Sequence, residues 1–452
     1  DLGEQELKNI ALPVRVYSSP PPGAKKADEA RDTTASAGES AASPRSSPRP
    51  RAERETIGDK TSIAVLPFQN MSGDPEQEHF ADGLAEDIIT SLSKVHHLLV
   101  IARNSTFTYK GRAVDIRQVA RELGVGHVLE GSVRRSGDRL RVTAQLIEAA
   151  SGNHVWAERY DRPLRDVFDV QDEITMEIVQ ALSVELTASE HMLMFSRSTR
   201  NLNAWLEAMQ GFEAWLVGSP KGVRESRAHL EKAVAIDPGY AVAWAFIGWC
   251  YYAEVRFGFS TDNGAALAKA CELSERALAA NPDEPHAHGV RAGVWAIAGR
   301  FEDAVREAEI AIAGSPNDVW LRCIAGRVLV LAGDAARGVE QMRMAQMLDP
   351  FHPPYYYGIL ANGLEELGQN LEAIEVLTEA VQGAPDYFAG RLRLASLYGL
   401  EDRIDEAKME LAAALQINPR FTMAMAEAFY ASASPHSTER FKRGLRKAGL
   451  AD

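Results

Sequence analysis

The sequence predicts two folded parts in series. The first is an α+β module, a small mixed sheet with an antiparallel meander and packed helices. The second is an all-α superhelix of paired helices. Three observations carry this reading. Between Arg139 and Leu146, apolar Leu140, Val142, Ala144 and Leu146 alternate with Arg139, Arg141, Thr143 and Gln145, the period of two that a half-buried strand requires. Pro238, Pro282, Pro316, Pro350, Pro385 and Pro419 recur at spacings of 44, 34, 34, 35 and 34. Small residues recur with the same period in two columns: Ala270, Ala304, Gly338, Ala373 and Ala407, then Ala277, Ala311, Ala345, Ala380 and Ala414. A small side chain at such a column lets two helices approach closely, and a proline ends each second helix because it cannot continue one.

The α+β part spans residues 60–190. "SIAVLPF" (Ser62 to Phe68) is the continuous apolar run of a buried strand. A helix follows, its apolar face drawn from Phe80, Leu84, Ile88 and Leu92. "HLLVIA" reads as a second strand, and "VDIRQVARELGV" as a second helix, with Gly124 as its C-terminal cap and turn. The meander "HVLEGSVRRSGDRLRVTAQLIEAASGNHVWAERY" comes next, about three strands with turns at Ser136–Asp138 and Ser151–Asn153. A helix from about Val167 to Leu186, with Val170, Ile174, Ile178, Leu182 and Leu186 on one face, closes the module. Residues 203–430 hold one degenerate unit (Ala204 to Pro238) and five full units. Ten extra residues, "RFGFSTDNGA", separate the helices of the first full unit, and 431–452 read as a C-terminal capping helix.

Composition limits the function classes. The 452 residues carry a formal charge of −14, which divides as zero over 1–58, −5 over 59–200 and −9 over 201–452. No segment has the clustered Lys and Arg of a nucleic-acid footprint. Cys250, Cys271 and Cys323 are odd in number, far apart and without a CxxC, which predicts reduced thiols in a cytoplasmic protein rather than disulfides or a zinc site. The longest uncharged stretch, Pro238 to Ala253, is shorter than the ~20 residues of a membrane span. Residues 18–58 contain one large aliphatic side chain, Ile57, and no aromatic, so a disordered Pro/Ser/Ala linker is expected there. Before it, "LPVRVY" (Leu12 to Tyr17) reads as a strand for which the preceding residues offer no partner.

The 34-residue period and "AWAFIGWCY", with Trp244, Ile247, Gly248 and Tyr251, identify residues 203–430 as resembling tetratricopeptide repeats. "AVLPFQNMSGDPEQEHFADGLAEDI" and the meander resemble the TolB amino-terminal-like module. The opening "DLGEQELKNIALPVRVY" resembles the end of a class III adenylate/guanylate cyclase catalytic domain, through Gly3, Leu7, Lys8, Asn9, Pro13, Val14, Val16 and Tyr17. That resemblance implies that residues 1–17 are the tail of a cyclase domain whose body precedes them. It also implies a parent enzyme that uses ATP and Mg and is dimeric. The family's catalytic groups would lie upstream, so none is assigned here, and this chain alone is expected to be inactive and to hold no cofactor.

The residues give no catalytic constellation of their own. The acidic run Asp74, Glu76, Glu78, Asp82, Glu86 and Asp87 reads as favourable charge near a helix start, not as a cation site. His286 and His288, two apart on a helix, face different ways and cannot readily share a metal. The loop Ala102 to Asp115 offers Arg103, Asn104, Phe107, Tyr109 and Lys110 as a possible ligand loop. The alternative is a plain strand-to-helix loop whose aromatics pack on the meander.

Repeat register places Trp249, Tyr252, His286, Trp320, Arg327, Tyr355 and Asn362 along the concave groove, as anchors for a protein or peptide partner or as packing between repeats. Relatives that clamp a C-terminal carboxylate use Lys and Asn where this chain has Ala245 and Trp249, which argues against that partner class. The expected function is the regulatory, partner-binding part of an adenylate cyclase, acting by recruitment through a flexible linker. The alternative is a non-enzymatic repeat scaffold or part of a transcription regulator.

Overall fold

The computed structural model describes residues 4–5, 14–15, 61–74, 77–195, 199–430 and 435–451. The linker 18–58 lies outside them, as does most of the 1–17 segment. Strand β1 (Glu4–Gln5) pairs antiparallel with β2 (Val14–Arg15). The expectation that nothing before Leu12 could partner the strand is therefore corrected: a two-residue ladder uses main-chain groups alone and needs no apolar pattern. This pair belongs to a unit separate from residues 58–452.

In the second unit a sheet has the order β5-β3-β6-β7-β8. Its strands are β3 (Thr61–Val65), β4 (Gln69–Asn70), β5 (Leu98–Val100), β6 (His127–Ser136), β7 (Arg139–Glu148) and β8 (His154–Pro163). The central β3 is parallel to β5 and β6, and β6-β7-β8 form the antiparallel meander. The short β4 runs parallel to β6 past the end of β3, with Gln69 opposite Ser132. After β3 the chain crosses through α1 (Glu78–Leu92) to β5. It then returns through α2 (Arg103–Thr106), a 3₁₀ turn at Phe107–Tyr109 and α3 (Ile116–Leu123) to the other side of β3. Asp115 caps α3 by accepting from the Arg117 N–H, and Gly124 ends it at φ 72°, a left-handed conformation that glycine adopts without steric cost.

Alternation decides the core. Leu129, Val133, Leu140, Val142, Ala144 and Leu146 meet Phe80, Leu84 and Ile88 of α1 and Val170, Ile174 and Ile178 of α4 (Val167–Ala181). The last helix of the module ends at Ala181 rather than near Leu186. The chain then turns at Ser183 (φ 52°) and enters α5 (Ala188–Phe195).

Six helix pairs follow. They are α6 (Leu202–Leu216) with α7 (Pro220–Ile236), α8 (Ala241–Arg256) with α9 (Asn263–Ala280), and α10 (Pro285–Ile297) with α11 (Phe301–Gly314). Next come α12 (Val319–Leu331) with α13 (Ala335–Leu348), α14 (Tyr355–Glu366) with α15 (Asn370–Gly383), and α16 (Phe388–Leu400) with α17 (Ile404–Ile417). Helices α18 (Met423–Tyr430) and α19 (Pro435–Ala448) end the chain. Both small-residue columns are buried. At the crossings, a β-carbon on Gly248 would stand 3.3 Å from the Ala270 carbonyl oxygen, and one on Gly326 3.1 Å from that of Gly338. Extra bulk there would push the helices of a pair apart. The fold is thus a small mixed sheet followed by an all-helical tetratricopeptide-type superhelix.

Candidate functional site

The first helices of successive pairs bring their inner faces together as an aromatic ladder. Ring centroids lie 5.4 Å apart for Trp249–Tyr252, 5.5 Å for Trp249–Trp320, 5.6 Å for Trp215–Trp320 and 6.3 Å for Trp320–Tyr355. His286 joins through Phe246, at 4.7 Å. Five of the seven groove residues expected from register therefore meet in one cluster.

Their exposure differs from what partner anchors need. Trp249 and Tyr252 are 0% and 2% exposed, a correction to their placement as open groove residues. The cause lies one repeat on, where α10 carries glycines. A β-carbon on Gly289 would come 2.9 Å from the Trp249 ring, and one on Gly293 2.7 Å from the Tyr252 ring. These sockets seat both rings between repeats. Trp320, His286 and Tyr355 are half-buried. His286 faces Asp318 at 3.3 Å, while His288 bonds Glu307 at 2.7 Å, so the two imidazoles serve different carboxylates.

Beyond the ladder the groove turns cationic. Arg327 is half-buried, and its pKa falls to about 10, chiefly through desolvation and further through Arg256 and Arg393 nearby. Arg393 donates to Glu365 at 2.7 Å and to Asn362 at 3.0 Å. Arg256 is exposed. At the C-terminal end, α19 lies against Ser396 and Gly399 of α16, which occupy the register positions of Asn362 and Glu365 one repeat earlier. Ser396 Oγ donates to the Phe441 carbonyl at 2.9 Å. Helix α19 thus covers that part of the inner face.

The loop after β5 has another role than the one expected of it. The Ala102 N–H donates to Leu348 O at 2.8 Å, Ser105 Oγ to Asp349 at 2.6 Å, and the Phe351 N–H to Ser105 Oγ at 2.9 Å. Asn104 also bonds Asp349. Arg103 pairs with Glu86 and lies 3.9 Å over the Phe107 ring. Tyr109 donates to Glu122, and its ring approaches Phe351 at 6.2 Å rather than the meander. Lys110 pairs with Asp82 and Glu78. Asn104, Ser105 and Tyr109 therefore build a seam between the module and the loop that follows α13, while Arg103 answers Glu86 and stacks on Phe107, and Tyr109 and Lys110 also line a cavity. Asp82 and Glu86 answer these cations and lie in the second and third turns of α1, beyond the reach of the helix start, which corrects their reading as helix-dipole charges, whereas Glu78 does stand in the first turn.

Two further contacts complete the seam. Asn317, after α11, donates its side-chain amide to the carbonyls of Val95 and Leu98, each at 2.9 Å, and of Ser93 at 3.3 Å. Trp205 of α6 meets Phe80 edge-on at 5.5 Å and Phe168 at 6.1 Å, and bonds Asp87 at 2.9 Å. Sequence reasoning passed over Asn317, Asp349 and Ser105. Each is an ordinary loop or short-helix residue whose partner lies more than two hundred positions away.

Residues 59–177 match the model of the HilA/YgeH-like transcriptional regulator second domain. Over 291 residues, 64% of the chain, the sequence is 45% identical to "Putative adenylate cyclase 3" of Rhizobium meliloti (strain 1021). The chain spans about half of that protein's length, 46%. A thermophilic TPR protein of Thermus thermophilus aligns with 43% of this chain and 98% of its own, at 18% identity and a TM-score of 0.34. TolB from Acinetobacter baumannii aligns with 27% of this chain and 28% of its own, at 19% identity and a TM-score of 0.22. Among the described residues no helix is long and apolar enough to cross a membrane. The chain is a repeat-containing protein similar to one named as an adenylate cyclase.

Proposed function

We propose that this chain is the regulatory, protein-binding part of an adenylate cyclase. In this reading its repeats receive an acidic segment of a partner protein and thereby control cAMP synthesis by a catalytic domain encoded with it. The observation that carries the reading is the 45% identity over 291 residues to a protein named as an adenylate cyclase. The groove chemistry supports the sign of the partner's charge. Arg256, Arg327 and Arg393 gather in the groove, Arg393 already paired with Glu365, and an acidic segment would complement the positive charge of that cluster.

The close seam modifies the mechanism. Because the α/β module and the repeats share hydrogen bonds and buried rings, a partner in the groove acts on both as one body. Recruitment through the linker then delivers that body to the catalytic domain.

The test is to express the complete reading frame in cells lacking their own cyclase and to measure cAMP. The unchanged protein and Arg256→Glu are compared. cAMP that depends on the reading frame and shifts with Arg256→Glu supports the proposal; no cAMP at all refutes it. The match of residues 59–177 to a transcriptional-regulator domain favours a second reading, a regulator with a DNA-binding partner domain. Specific DNA retention by the complete protein, without cAMP formation, would select it.

A further inference from the structure

The α/β module carries an open cavity of about 600 Å³ that neither the groove nor the seam uses. It lies past the carboxyl end of β3, between the Leu66–Gln69 segment, the 109–114 loop and the outer face of β6 and β7. The chain leaves β3 toward β5 on one side and returns to β6 on the other, so this is the point at which strand order reverses. Such crevices are where open α/β sheets hold ligands.

We propose that this cavity binds a small, uncharged, polyhydroxylated molecule of monosaccharide size. Its floor is built by the ladder. Glu130 is paired with Gln145, and Ser132 with Thr143. All four alternate with core residues and so project from the opposite face of the sheet. Gln69 is added because β4 aligns it with Ser132. Ser132 Oγ and Thr143 Oγ1 share a hydrogen bond at 2.7 Å.

The side chains of Gln69, Glu130 and Gln145 have no hydrogen-bond or ion-pair partner among the described residues. They present carboxylate and amide oxygens beside amide N–H groups. A ligand that answers them must offer donors and acceptors from adjacent atoms, which vicinal hydroxyls do.

Charge narrows the class. Glu130 in the floor disfavours an anion. Arg112 at the rim disfavours a cation, and Lys110 is already neutralised by Asp82 and Glu78. Leu66, Pro67 and Val114 supply apolar wall for the C–H face of a ring. The volume falls within the ~300–1,000 Å³ of small-molecule sites. This inference stands apart from the partner-binding reading, since no residue of the repeats lines the cavity.

The test uses the whole chain, with D-glucose, D-galactose, D-ribose and myo-inositol as probes, by saturation-transfer NMR and calorimetry. At least one should bind saturably, with affinity about tenfold weaker in Glu130→Ala and in Gln145→Ala at an unchanged thermal midpoint. The groove variant Asn362→Ala should leave binding as it is. No saturation by any of the four overturns the proposal. Binding that survives both floor substitutions, or saturation by inorganic phosphate or L-serine instead, overturns it equally.

Discussion

Replacing Asn317 by alanine tests whether the α/β module and the repeats are one body. The amide nitrogen of Asn317 lies 2.9 Å from the carbonyl oxygens of Val95 and Leu98 and 3.3 Å from that of Ser93, and the residue is buried. Two N–H groups thus serve three peptide oxygens. Alanine removes both donors and leaves those oxygens facing a methyl group. An orphaned buried acceptor costs about 1–3 kcal/mol, so two well-made bonds lost should cost about 2–4 kcal/mol, allowing some water to enter.

The backbone N–H of Asn317 still reaches Ser93 O at 3.1 Å, so the seam loosens without separating. Asn317→Asp should cost more than alanine, since it turns a carboxylate toward three carbonyls. Urea unfolding at pH 7, followed by far-UV circular dichroism and tryptophan fluorescence, measures both. Asp386 follows its proline as Asn317 does but is exposed, so Asp386→Ala should change stability by no more than about 0.5 kcal/mol. If Asn317→Ala also fell within that margin, the hydrogen bonds would not support the seam, and the two parts would have to be treated as independent.

Burial pushes the Glu190 carboxyl upward, but hydrogen bonds from His96 and Thr187 outweigh it and hold its pKa at about 2. Its contribution is therefore present above the unfolded value of 4.5 and lost as pH falls toward 2, and Glu190→Gln should flatten the acid limb of a stability–pH curve and lower stability at pH 7. Asp349 is the opposite case: burial raises its pKa, only partly offset by Ser105, Asn104 and Tyr356. Its contribution is complete below the ordinary aspartate value of 3.8 and is lost as pH rises, so Asp349→Asn should raise the thermal midpoint at pH 7 and lose that advantage at pH 3. At the last crossing, a β-carbon on Gly399 would collide with the Gly444 carbonyl oxygen, so Gly399→Ala should cost about 1–3 kcal/mol and release α19. Faster hydrogen exchange in residues 436–448 would show that release, and unchanged exchange would contradict the close packing.

The α/β module was legible because its signals are local. Leu140 to Leu146 alternates over consecutive residues, and Gly124 ends α3 at a conformation glycine favours. The repeats were legible because a period survives whatever the partner is. The candidate site was legible only in register. His286, Trp320 and Tyr355 were named as inner-face residues and do stand in the aromatic cluster, yet nothing in Trp249 itself announces that Gly289 will leave it a socket. Burial is a property of the residue opposite, and here that residue belongs to the next repeat.

The sequence by itself determined the two folded parts, their order, the helix pairing and the longer strands, since hydrophobic period, turn residues and small-residue columns act within one element or one repeat, whereas the two-residue strands β1 and β4 left no such signal. Only the tertiary structure decided that the module packs against the repeats through Asn317, Asp349 and Trp205, and that Asn104, Ser105 and Tyr109 serve this seam. It alone placed the cavity past the carboxyl end of β3, over β6 and β7. The physical reason is range. A hydrogen bond from Asn317 to Leu98 depends on how every intervening strand and helix turns the chain, and each small rotation per repeat adds to the last.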